Sequence, residues 1–174
     1  LVGMGAIGRK VAMYLNAFGA KVFYTDPFRL TVEQEKEYHL IYVPTFEDLL
    51  PQVDILSFHC PLTSENKGML NKNINLMKDG AMVVNTARGK LIEPNDLYEA
   101  LKSHKLRFAA LDVHYEEPIP QDYPLSFLDN VILTPHIGGL SCEAFHSMME
   151  RAVSNIVDFE LGNLNKIDSC RLYQ

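Results

Sequence analysis

Short apolar runs and longer amphipathic stretches alternate along this chain. Val11, Ala12 and Leu15 recur at helical spacing, and Gly19 marks the end of that helix. Residues 21–24 (KVFY) are β-rich and end at Thr25-Asp26-Pro27, and residues 39–43 (HLIYV) form a second such run. Thr45 caps a short helix that carries Glu47 and Asp48 in its first turn. Residues 54–58 (DILSF) and 81–85 (AMVVN) read as buried strands. Residues 93–102 read as a helix, with Pro94 where a first turn tolerates proline. Residues 107–111 and 130–133 complete the strand set, and Leu1-Val2 reads as the end of a first strand. The longest helix covers 141–161 and is closed by Gly162.

Six or seven strands alternating with helices predict a parallel sheet covered on both faces. Such crossovers are right-handed, so the expected architecture is α/β, a doubly wound parallel sheet of Rossmann type. Residues 1–162 are expected to form this one domain and 163–174 a polar tail. The loop 114–129 is acidic and holds Pro118, Pro120 and Pro124, and loops of that length more often serve function. Only two residues precede the glycine motif described below, whereas a parallel strand runs about five or six residues. The chain is therefore expected to be truncated at its N-terminus.

Composition narrows the class. The chain has 174 residues, of which 47% are apolar and 22% charged, the usage of one ordinary globular domain. Disorder, collagen and coiled coil are excluded on that usage. No apolar run reaches the ~18–20 residues that span a bilayer, and no signal-peptide pattern opens the sequence. With 16 Lys and Arg against 22 Asp and Glu, the net charge of −6 argues against a nucleic-acid partner and gives no basis for a membrane one. Cys60, Cys142 and Cys170 are odd in number and far apart, with neither disulfide nor metal spacing. A reducing, cytoplasmic setting is expected.

Gly3-Met4-Gly5-Ala6-Ile7-Gly8 is a G-x-G-x-x-G loop between a strand fragment and a helix. Its glycines permit a tight turn and close approach of backbone to a pyrophosphate, and the helix N-terminus offers free N–H groups. The pattern alone is common. Asp26, at the end of the next strand and 18 residues after Gly8, sharpens it, because a carboxylate there accepts from the adenosine ribose hydroxyls. Asp26 would repel a 2′-phosphate, so NAD is preferred to NADP. Methyltransferases using adenosyl-methionine share such glycines but do not explain the polar groups at later strand ends.

Ligands of open α/β sheets sit outside the carboxyl ends of the strands. His59-Cys60-Pro61-Leu62-Thr63 follows DILSF, and Asn85-Thr86-Ala87-Arg88-Gly89 ends the AMVV run. Asp112 follows RFAAL with Glu117 five residues on, and Pro135-His136-Ile137-Gly138-Gly139 follows NVILT. An Arg, a Glu and a His at successive ends form an anion clamp with a proton donor.

These segments carry a resemblance. VGMGAIG, HCPLT, VVNTARGKLI, ALDVHYEEP and LTPHIGG, in this order, resemble the NAD-binding domain of the D-isomer-specific 2-hydroxyacid dehydrogenases, over residues 1 to about 161. The family's substrate domain, mostly upstream, is not in this chain. The resemblance implies an NAD-dependent oxidoreductase that moves hydride between nicotinamide and a small D-2-hydroxy or 2-oxo acid. It implies that Arg88 binds the substrate carboxylate, a bidentate task suited to a guanidinium. It implies that His136 is the general acid–base and that Glu117 pairs with it, fixing its tautomer and favouring its charged form. Asp112 would hold the nicotinamide side of the cofactor. Gly3, Gly5, Ala6, Ile7, Gly8, Asp26, Cys60, Pro61, Thr86, Ala87, Arg88, His136, Gly138 and Gly139 would line the rest of its path, with no metal.

His59, His114 and His146 are expected to be structural or surface groups, and His39 and His104 exposed. The resemblance also implies a homodimer formed through this domain. Two alternatives share the motifs: an NAD(H)-sensing corepressor-type binding module of the same family, and a formate or phosphite dehydrogenase. Formate enzymes of the family use Gln where Glu117 stands, which argues against that branch. Ser141-Cys142 stands where the family pattern has Thr, a change expected to touch only a helix cap. The chain alone is expected to show weak activity or none, since closure over the substrate excludes water and orients the reactants.

Overall fold

A computed structural model of the chain describes residues 1–165. It contains two compact units, Leu1–His136 and a second that begins at Ile137. The first holds all the strands found among the described residues. In chain order its elements are α1 (Ala6–Ala17), β1 (Val22–Tyr24), α2 (Val32–Glu37), β2 (Leu40–Tyr42), α3 (Phe46–Leu49), β3 (Ile55–Phe58), β4 (Ala81–Asn85), α4 (Pro94–Lys102), β5 (Leu106–Leu111) and β6 (Val131–Leu133). The second unit is built on α5 (Cys142–Glu160).

Every strand pairing is parallel. β1 pairs with β2, and β3, β4, β5 and β6 pair in that order. Val2 joins the two sets by bridging Thr25 on one side and Phe58 on the other. Its N–H donates to the Ser57 carbonyl at 2.9 Å, and its own carbonyl accepts from His59 N–H at 2.7 Å. The strand order is therefore β2, β1, Val2, β3, β4, β5, β6, and the direction of winding reverses at Val2. A ligand crevice opens at the carboxyl edge beside such a reversal. The expected first strand is present only as this bridge.

Packing follows from the sequence pattern. Leu97, Ala100 and Leu101 of α4 lie at helical spacing and are buried, and α4 packs on β5. Leu56, Phe58, Val83, Leu101 and Leu106 share the larger core cluster. Each such side chain, fully buried, stabilises the fold by ~1.5–3 kcal/mol. A smaller cluster joins Met4 and Ala12 to Val22, Tyr24 and Leu40, so the glycine loop and α1 are anchored on β1.

Helix ends behave as their residues dictate. Thr45 Oγ1 accepts from Asp48 N–H at 3.1 Å, and Ser141 Oγ from Ala144 N–H at 3.0 Å. The Ser at that position thus supplies an ordinary cap. Gly19 and Gly162 take left-handed conformations after α1 and α5. Helix α2 was not expected. It is announced by a reciprocal cap between Thr31 and Gln34 rather than by an apolar stripe. Cys170 and most of the expected tail, residues 166–174, lie outside the described residues. Among the described residues no helix is long and apolar enough to cross a membrane.

Candidate active site

The loop after Val2 is shaped by close backbone contacts. A Cβ on Gly8 would lie 2.2 Å from the Gly3 carbonyl oxygen, so only glycine lets α1 start this near the strand end. Asp26 ties the loop down. One carboxylate oxygen accepts Met4 N–H at 2.7 Å and the other accepts Phe28 N–H at 2.8 Å. Each oxygen keeps a lone pair for a ribose hydroxyl.

The N-terminus of α1 differs from the other helix starts. Helices α2, α3 and α5 are capped by Thr31, Thr45 and Ser141 and carry acidic residues in their first turns, and α4, which has no side-chain cap, carries Asp96 in its first turn. Helix α1 begins after Gly5 with no side-chain cap and no acidic residue, and Ile7 in its first turn is 65% exposed. Its first N–H groups and its positive dipole end are therefore left to an anion. A dinucleotide fits this set: pyrophosphate on the α1 amides, ribose on Asp26.

Beside the loop, the end of β3 leads into His59 and Cys60. Burial pushes the His59 imidazole down to about 4. Burial, with Asp26 nearby, pushes the Cys60 thiol up to about 11. Neither group is ionised at neutral pH, which suits residues that line rather than react.

The ends of β4, β5 and β6 build a cleft of about 300 Å³ whose lining includes Arg88, Lys90, Tyr115, Glu117 and His136. Arg88 is exposed after β4. Its Nη1 donates to the Ala87 carbonyl at 2.6 Å, and among the described residues no carboxylate is paired with it. The turn that carries it is set by the buried Asn85, whose amide accepts from Ala87 N–H and donates to the Arg88 carbonyl. After β6, His136 has φ 54°, a left-handed conformation rare for a side-chain-bearing residue and found disproportionately at functional sites. Its Nδ1 lies 2.9 Å from Glu117 Oε2. The other carboxylate oxygen accepts His114 N–H at 2.8 Å. These two bonds, the His136 contact first, hold the Glu117 carboxyl below its usual range. Both side chains remain partly open to solvent, at 48% and 38%.

Arg88, Glu117 and His136, expected from separate motifs, thus meet at one cleft. Gly3, Gly5, Ala6, Ile7, Gly8 and Asp26 form the loop end of the same edge. Thr86 and Ala87 precede Arg88, and Cys60 and Pro61 follow β3. Asp112 is buried, and its Oδ1 accepts Thr134 Oγ1–H at 2.6 Å. Gly138 and Gly139 belong to the second unit. Lys90, Tyr115 and Thr134 complete the surroundings and were not singled out from sequence, and His114, expected to be a structural or surface group, is buried beside them. Lys90 Nζ lies 5.9 Å from the Tyr115 ring centroid, a proximity between two strand ends that no local pattern encodes.

Residues 1–138 match the family model described as D-isomer specific 2-hydroxyacid dehydrogenase, NAD binding domain. The chain is 41% identical to a glyoxylate reductase of Korarchaeum cryptofilum over 94% of its own length and 49% of that protein. It is 37% identical to a hydroxypyruvate reductase of Blautia hydrogenotrophica, covering 94% and 50% of the two chains. Its structure resembles D-lactate dehydrogenase from Aquifex aeolicus, solved with NAD and lactic acid. The TM-score is 0.86 at 35% identity, over 95% of this chain and 54% of that one. The chain spans about half the length of the relatives it matches.

Proposed function

The chain belongs to the D-isomer specific 2-hydroxyacid dehydrogenase family as an NAD-binding domain, and from that premise we propose that it carries the catalytic residues of an NAD-dependent oxidoreductase acting on a small D-2-hydroxy or 2-oxo acid. The observation that carries this reading is the 2.9 Å contact between Glu117 and His136 in the cleft that Arg88 also lines. Bound NAD supplies the hydride acceptor, and NADH the hydride.

Arg88 binds the substrate carboxylate, for which its guanidinium has two parallel N–H donors. His136 keeps Nδ1 on Glu117 and turns Nε2 to the substrate oxygen. In reduction it gives that oxygen a proton from Nε2 as hydride reaches the carbonyl carbon, and the product is the 2-hydroxy acid. In oxidation the same nitrogen takes the proton back. Glu117 stays ionised throughout, supported by the His114 N–H, so it stabilises the imidazolium and holds its orientation. Asp26 accepts from the ribose, and its negative charge favours NAD over NADP.

Apolar side chains exposed on the first unit, Phe18 and Phe127 among them, favour a homodimer. The unbridged Cys60 and Cys142 are compatible with a reducing, cytoplasmic setting. The test of function is NADH oxidation by the polypeptide that contains this sequence, with glyoxylate, hydroxypyruvate and pyruvate offered in turn. Turnover with at least one of them, and its loss in Arg88→Ala, is expected. Equal rates for wild type and Arg88→Ala would remove the role given to Arg88.

A further inference from the structure

His114 occupies an unusual place in the cleft wall. Glu117 and His136 stand on different loops, one after β5 and one after β6, 19 residues apart in sequence. His114 touches both loops. Its backbone N–H donates to Glu117 Oε1 at 2.8 Å, and its ring Nε2 lies 2.9 Å from the Thr134 carbonyl oxygen. That same carbonyl accepts His136 N–H at 3.0 Å, within the turn that gives His136 its left-handed backbone. With the Glu117–His136 contact, the hydrogen bonds close a ring: His114 to Glu117, Glu117 to His136, His136 to Thr134, and Thr134 back to His114. One further tie, Thr134 Oγ1 to Asp112 Oδ1, runs beside it.

The imidazole is not accounted for by packing. The residue is only 5% exposed, and Tyr123 meets its ring edge-on at 5.9 Å between centroids. A phenyl ring would fill that space. The imidazole instead leaves Nδ1 buried with no hydrogen-bond partner among the described residues, a cost to stability that an apolar ring would avoid. The Thr134 carbonyl can only accept, so Nε2 carries a proton and donates it to Thr134. Nδ1 takes no part, and the hydrogen bond that the ring makes among the described residues is the one to Thr134.

We propose that His114 is a positioning residue for the acid–base pair, its ring fixing the turn that presents His136 and its N–H fixing Glu117. This rests on the reading of Glu117 and His136 as that pair. His114 is expected to act through geometry and to touch neither substrate nor cofactor.

The test reads the His136 imidazole directly, by ¹⁵N–¹H NMR of this chain at one fixed pH, through the chemical shift of Nδ1. Its environment includes Glu117, Arg88, Lys90, Tyr115 and His114, which line the cleft with it. Glu117→Gln breaks the pair and sets the reference displacement of the His136 Nδ1 resonance. His114→Phe is expected to move that resonance at least half-way to the reference while the melting temperature stays at or above wild type. His114→Gln, which can again offer an N–H to Thr134, is expected to restore the wild-type resonance. In the polypeptide that contains this sequence, His114→Phe is expected to lower kcat by roughly 10- to 100-fold, the scale of a misplaced reacting group, with KM for NADH unchanged. If Glu117→Gln displaces His136 and His114→Phe does not, the inference is overturned and the pair survives. If Glu117→Gln leaves His136 unmoved, the pair itself fails, and the role of His114 with it. Should His114→Phe not fold, His114→Leu carries the same comparison.

Discussion

A Cβ placed on Gly89 would lie 1.9 Å from the carbonyl oxygen of His114. The backbone after β4 and the backbone after β5 are thus in contact at the residue that follows Arg88. The absence of a side chain at Gly89 is what brings the guanidinium loop beside the loop carrying Glu117. Gly89→Ala must push one strand end away from the other. Overpacking of this kind costs ~1–3 kcal/mol, occasionally more, and a clash with backbone cannot be relieved by a side-chain rotation. The melting temperature, followed by circular dichroism, is expected to fall by about 5–10 °C.

Asp26 holds the glycine loop through Met4 and the following loop through Phe28, and it faces the ribose in the proposed complex. Asp26→Ala removes charge-assisted hydrogen bonds of ~1.5–3 kcal/mol each. NAD affinity, measured by calorimetry on this chain, is expected to fall at least about 10-fold. NADP should lose less, because the same change removes a repulsion, so the ratio of the two dissociation constants moves toward NADP. An unchanged ratio would contradict the placement of the ribose.

Protonation of Glu117 sets an acid limit. Its carboxyl titrates below the usual 4.5 because His136 and then the His114 N–H bind the ionised form. A depressed folded-state value stabilises the fold above the ordinary value and ceases to do so as pH falls through the lowered one. Urea denaturation should therefore show wild type more stable than Glu117→Gln at neutral pH, with the difference shrinking only as pH drops below about 4.5. His59 acts in the same direction. Its imidazole is pushed down from 6.5 to about 4 by burial, so its contribution is lost between those values. His59→Gln should flatten the stability curve across that window and leave its slope unchanged above it.

The two described cysteines should separate chemically. Cys142 is exposed at the start of α5, whereas burial pushes the Cys60 thiol up to about 11. The thiolate is the reactive form, so at about pH 8 iodoacetamide should label Cys142 well before Cys60. Peptide mass spectrometry checks the order, and equal labelling rates would show that Cys60 is open.

Much of this was legible in the chain because strands of a parallel sheet are buried on both faces. DILSF and AMVVN therefore stand out as apolar runs, and in a parallel sheet the residues that follow them, His59 and Thr86 to Arg88, share one edge. Thr45, Pro94, Ser141 and Gly162 marked helix ends through local chemistry that does not depend on the rest of the fold. Helix α2 was missed because Val32, Glu33, Gln34, Glu35, Lys36 and Glu37 offer no apolar face, although the Thr31–Gln34 spacing was a usable sign. Thr134 was missed, and His114 was read only as a structural or surface group, for a different reason. Their partners lie across strand ends, and a contact between β5 and β6 leaves no periodic trace in either segment. The motifs named the chemical groups, whereas the ring that orients them exists only in three dimensions.

The most direct test of the central claim is the rate of NADH-linked 2-oxo acid reduction by the polypeptide containing this sequence, wild type against His136→Ala, with NADH affinity measured alongside. The role given to His136 predicts a rate lower by ~10²–10⁴-fold, the usual contribution of a positioned acid–base, with NADH affinity changed far less. Equal rates in the two proteins would contradict it.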